Sequence, residues 1–103
     1  VADVVLISVP IDVTVEVIRR LGPLVRRDAL LMDVTSIKAE PVKAMLEHSS
    51  ASVIGTHPLF GPSVHSLQGQ RVVLCPARGG DWVDWLRCMF HARGLVIRDA
   101  TPE

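Results

Sequence analysis

The chain has 103 residues, enough for one small domain built on a single core. Eleven basic residues balance eleven acidic ones, which argues against a nucleic-acid or acidic-membrane footprint. A hydrophobic share of 49% argues against disorder, yet no apolar run reaches the roughly 18 residues that suggest a membrane span.

The chain opens inside a strand. Asp3 to Val9 (DVVLISV) is almost continuously apolar and β-branched, the composition of a strand covered on both faces. With no methionine and no lead-in before it, the chain reads as part of something longer. A helix is expected next, with Val13, Val17 and Leu21 on one face, stopped by Gly22 in a left-handed cap and by Pro23. Ala29 to Val34 is a second buried-type strand. Ala39 to His48 is a short helix with Pro41 near its first turn. Ala51 to Gly55 forms a third strand, followed by a long loop that carries His57 and His65. Arg71 to Pro76 is a fourth strand. A helix from Asp81, its expected N-cap, runs to Gly94, and Leu95 to Asp99 is a last strand.

Strands and helices in alternation predict an α/β fold, a partial Rossmann-like three-layer arrangement. Its sheet has about five mostly parallel strands with helices on both faces. The last two strands, joined by a helix, are parallel to each other. The histidine loop contains no clear helix, so this pair can run antiparallel to the first three. Leu6, Val9, Leu31, Met32, Val53, Ile54, Val73 and Leu74 are the expected centre of the core. Cys75 and Cys88 show no metal-ligand spacing and read as buried free thiols, in keeping with a reducing cytoplasm. No signal-peptide pattern opens the chain. No histidine pair has ligand spacing, so no metal is expected. Trp82 and Trp85, three apart on one helix, read as packing residues.

In open α/β sheets ligands bind beyond the carboxyl ends of the strands. There the first strand delivers Ser8, Val9 and Pro10, the second Asp33 to Lys38 (DVTSIK), and the third Gly55 to Pro58 (GTHP). Ser8, Thr35, Ser36, Lys38 and His57 therefore gather on one rim. Pro58 restricts the backbone of His57 to extended conformations, and a fixed imidazole suits a proton acceptor. Each residue also has a plainer reading. Ser36 can cap a helix, Lys38 can be a solvated charge, Thr35 can satisfy loop backbone, and Ser8 and Pro10 can simply end a strand.

These residues carry a resemblance. ADVVLISVPIDVTVEVI, LLMDVTSIKAEPVKAM, VIGTHPLFGP and VVLCP, in this order and approximate spacing, resemble the prephenate dehydrogenase family across nearly the whole chain. DVTSIK is similar to its D-x-x-S-x-K stretch and GTHPLFGP to its G-x-H-P-x-x-G-P stretch. The resemblance implies an oxidoreductase of tyrosine biosynthesis. Such an enzyme uses NAD or NADP to oxidise prephenate, with loss of carbon dioxide, to 4-hydroxyphenylpyruvate, or acts on arogenate. It further implies His57 as acceptor of the substrate hydroxyl proton, with Ser36 orienting hydroxyl and imidazole. Lys38 would lie near substrate or cofactor, and Ser8, Val9, Pro10 and Thr35 would line the nicotinamide side of the cofactor pocket. Residues 1–103 would then be the later part of a Rossmann-like nucleotide-binding domain. The family's GxGxxG half and its helical dimerisation domain, through which a homodimer forms, are absent from the sequence. A different reading also fits the composition: a non-catalytic α/β interaction module that self-associates through exposed sheet edges.

Overall fold

The computed structural model describes residues 2–36, 38–61 and 65–101. Five strands form one sheet in the order β1 (Val4–Ile7), β2 (Leu30–Asp33), β3 (Ser52–Pro58), β4 (Arg71–Arg78) and β5 (Val96–Asp99). β1, β2 and β3 are parallel, β4 is antiparallel to β3, and β5 is parallel to β4. The cause is the connection. Helices α1 (Thr14–Leu21) and α2 (Ala39–His48) carry the chain back for each parallel pair, and α3 (Gly80–Ala92) does so for β4 and β5. Between β3 and β4 the described residues contain no helix, so the chain simply reverses.

The sheet is covered on both faces. Ile18 of α1 with Val42, Ala44 and Met45 of α2 pack on Leu31, Val53 and Cys75. Leu86 of α3 packs on Leu30, Met32, Ile54 and Leu74 on the other side. Successive residues of β2 therefore serve opposite faces. Each fully buried leucine or isoleucine here contributes about 1.5–3 kcal/mol relative to exposure.

Several sequence expectations need correction. Leu6 is 51% exposed, because β1 is an edge strand and α3, on the same face, centres its packing on β2, β3 and β4. Leu6 instead borders an apolar cavity of about 370 Å³ shared with Met32, Trp85 and Phe90. Val9 and Val73 are only half-buried. The inward stripe of α1 is Thr14 and Ile18, while Val13 and Leu21 lean outward, since the helix starts one turn later, after a 3-10 turn at Ile11–Val13. Gly22 does not adopt a left-handed cap; its φ is −51°. It is needed for closeness, because a Cβ there would lie 2.6 Å from the carbonyl oxygen of His48. The N-cap of α3 is Gly79, at φ +98°, rather than Asp81.

The cysteines divide. Cys75 is fully buried in the α2-side core, while Cys88 is exposed on α3. Leu86 supplies the sheet-facing position of that helix, which leaves Cys88 outside. Burial pushes the Cys75 thiol up from its ordinary value, although nearby Lys38 opposes this. A thiol titration of the native chain is therefore expected to show fast labelling at Cys88 and labelling of Cys75 only on unfolding. Fast reaction at both would refute the burial of Cys75. Trp82 and Trp85 meet edge to face with ring centroids 5.3 Å apart, and the Trp82 indole N–H donates to the Asp28 carbonyl.

Candidate functional site

Register aligns the three parallel strand ends. Ile7 lies opposite Asp33 and Asp33 opposite Gly55. The residues that follow each, Ser8–Pro10, Val34–Ser36 with Lys38, and Thr56–Pro58, therefore emerge at one rim. β3 runs three residues further than the sequence suggested, so His57 lies in the strand, paired with Val73, rather than in the loop. Its backbone is held by the ladder as well as by Pro58. Alternation along β3 places His57 on the same face as Gly55, the α2 face, where it is half-buried. Ser36, just beyond β2, is exposed, and Thr35 is buried. Pro62 of the G-x-H-P-x-x-G-P stretch and Ile37 of DVTSIK lie outside the described residues.

Beneath the rim sits a charged network. Asp33 is fully buried at the end of β2, and Lys38 is 8% exposed. The Lys38 ammonium donates to Asp33 Oδ1 at 2.8 Å and to the backbone carbonyl of Thr56 at 2.6 Å. Thr35 Oγ1 donates to the other Asp33 carboxylate oxygen, and Thr56 Oγ1 donates to the Asp33 carbonyl. Among the described residues no buried side-chain nitrogen or oxygen lacks a partner. Burial pulls the Lys38 ammonium below its ordinary pKa, and the hydrogen bond and charge of Asp33 partly restore it. Gly55 makes the crossing possible. A Cβ there would lie 2.8 Å from Val42 Cγ2 and 3.0 Å from Lys38 Cδ. Lys38 is thus the one predicted site residue whose charged end is engaged inside the fold, against Asp33 and Thr56.

Asp33 and Thr56 received no role from the sequence. A signal did exist for Asp33: it is the one acidic residue in the apolar run Ala29 to Val34, and a buried carboxylate requires a partner. Lys38, five residues on, was available. Nothing in the sequence pointed to the Thr56 carbonyl, whose part depends on strand register.

Residues 1–98 match the family described as prephenate dehydrogenase, nucleotide-binding domain. The chain belongs to that family. T-protein of Haemophilus influenzae is 46% identical over 96 residues, which are 93% of this chain and 26% of that protein. A probable arogenate/prephenate dehydrogenase of Methanocaldococcus jannaschii is 46% identical over 91 residues, 86% of this chain and 20% of that protein. The chain therefore spans about a quarter or less of these relatives. Among solved structures, Synechocystis arogenate dehydrogenase superposes with a TM-score of 0.84 at 22% identity, over 98% of this chain and 40% of that one. Aquifex aeolicus prephenate dehydrogenase, in complex with hydroxyphenyl propionate and NAD+, gives 0.80 at 23% identity, over 97% and 38%. At that identity the likeness concerns the fold, an α/β Rossmann-like sheet with one antiparallel pair.

The dehydrogenase family implies a nicotinamide cofactor, and the rim suits one side of it. Ser8 and Pro10 are exposed and Val9 half-exposed, an apolar surface with one hydroxyl at the mouth of β1. That combination fits a flat ring carrying a polar carboxamide. No glycine-rich phosphate loop is present in these 103 residues.

Proposed function

We propose that this chain is the catalytic-base part of the nucleotide-binding domain of an NAD(P)-dependent prephenate or arogenate dehydrogenase, and that His57 takes the proton from the substrate's ring hydroxyl. The observation that supports this best is the placement of His57, fixed by the β3–β4 ladder on the rim that Ser36 also reaches. The bound cofactor supplies a hydride acceptor. As hydride departs, the carbon–oxygen bond gains carbonyl character and the hydroxyl proton becomes acidic. An imidazole nitrogen is a base suited to that demand. His57 accepts this proton. Cleavage of the ring carboxylate bond, with loss of carbon dioxide, is driven by aromatisation and leaves the bonding electrons in the ring. The exposed Ser36 hydroxyl orients the substrate hydroxyl against the imidazole. Ser8, Val9 and Pro10 line the nicotinamide side, while the buried Thr35 hydroxyl is held by Asp33 rather than offered to the ring. Substrate carboxylates and cofactor phosphates are held by parts of the protein beyond this sequence, through which it also dimerises.

The choice between substrates and between cofactors is read by assay of the full protein with prephenate and arogenate, each with NAD and NADP. Cofactor reduction with at least one pair is the expected result. Reduction with none of the four, by protein shown to be folded, would refute the proposal.

A further inference from the structure

We propose that Lys38 is a positioning residue, whose ammonium, anchored by Asp33, fixes the Thr56–His57 peptide and through it the His57 imidazole. The inference rests on the reading of His57 as the base and adds the device that aims it. The carbonyl of Thr56 and the N–H of His57 belong to the same peptide unit, so a donor on that oxygen constrains the plane from which the His57 side chain departs. Lys38 supplies this donor at 2.6 Å.

The geometry favours placement over direct contact with substrate. Lys38 is 8% exposed, and its ammonium is engaged by Asp33 and Thr56 at once. Asp33 is itself fastened from two sides, by the Thr35 hydroxyl on its carboxylate and by the Thr56 hydroxyl on its carbonyl. The ammonium therefore ties the end of β2, the start of α2 and the penultimate peptide of β3 into one unit. Gly55 keeps the passage open, since a Cβ there would press on Val42 Cγ2 at 2.8 Å and on Lys38 Cδ at 3.0 Å. A lysine placed only to meet substrate would not require a glycine beneath its stem and a buried carboxylate at its head. Proton transfer between oxygen and an imidazole depends on sub-ångström approach, and a misplacement near 1 Å can cost about a hundredfold in rate.

The test is a double-mutant cycle on the full dehydrogenase, with Lys38→Arg and Lys38→Met each made alone and with His57→Asn. Lys38→Arg keeps the charge that Asp33 requires, and so the fold, but its planar guanidinium reaches past the lysine position. Each single Lys38 variant is expected to lower kcat by about tenfold to a hundredfold with cofactor KM unchanged. In the His57→Asn background the same substitutions should change kcat little, because the group they aim is gone. Additive losses would overturn the proposal in favour of direct contact with substrate or cofactor, as would a loss confined to KM. A readout independent of turnover is the His57 imidazole in nitrogen-15 spectra. It should shift in Lys38→Arg, while the remote His91 does not. An unmoved His57 resonance would overturn the positioning role even in a protein that oxidises neither prephenate nor arogenate.

Discussion

On the proposed reading of His57 as the base, turnover by the protein that carries this domain is expected to fall about 10²–10⁴-fold when His57 is replaced by asparagine. Asparagine retains a polar group of similar size that can hydrogen-bond a hydroxyl, so substrate placement is largely preserved. What it lacks is a basic nitrogen able to accept the proton as hydride leaves. The loss should therefore appear in kcat, with cofactor affinity unchanged by calorimetric titration. The fold should tolerate the change. His57 is half-buried at the end of β3, and its side chain makes no hydrogen bond to a described residue that the substitution would orphan. An unchanged kcat would remove His57 from the chemistry. A variant that no longer binds cofactor would show instead that His57 helps to shape the pocket.

The order of elements was legible because each parallel crossover here needs a helix, and helices and apolar strands leave different periodicities. The antiparallel pair could be inferred from a connection without one. The rim was legible for a related reason: in a parallel sheet all carboxyl ends point one way, so residues just after apolar runs must gather. What escaped the sequence depended on distances between elements. Leu6 reads as core in β1, and only its edge position, beyond the strands on which α3 centres its packing, exposes it. Gly22 and Gly55 look like turn glycines. The first is set by the approach of His48 and the second by Val42 together with the stem of Lys38. Lys38 itself was misleading on composition alone, since a lysine between an exposed serine and a helix reads as solvated. The register that sets Gly55 opposite Asp33 brings the Thr56 carbonyl within reach and draws the ammonium inward.

Replacing Lys38 by methionine is expected to destabilise the fold by about 3–5 kcal/mol, read as a fall in denaturation midpoint at constant slope. Methionine matches the length of the lysine stem and leaves little cavity, so the loss comes from Asp33, left as an unpaired carboxylate with no exposed surface. The contrast is Arg20, whose ion pair with Glu16 lies on the solvent side of α1 with both side chains well exposed. Arg20→Ala should cost only about 0–1 kcal/mol. Equal, small losses in both variants would show that water reaches Asp33 when the lysine leaves. The pair need not be a source of stability for this large effect to hold. Burial lowers the affinity of Lys38 for its proton more than Asp33 raises it, so desolvation outweighs attraction at the ammonium. Such a pair is costly to break whatever it contributes intact, because the partner left behind is a buried charge, and that cost holds the arrangement in place. Here the arrangement enforced is the one that ties β2 and α2 to the peptide bearing His57.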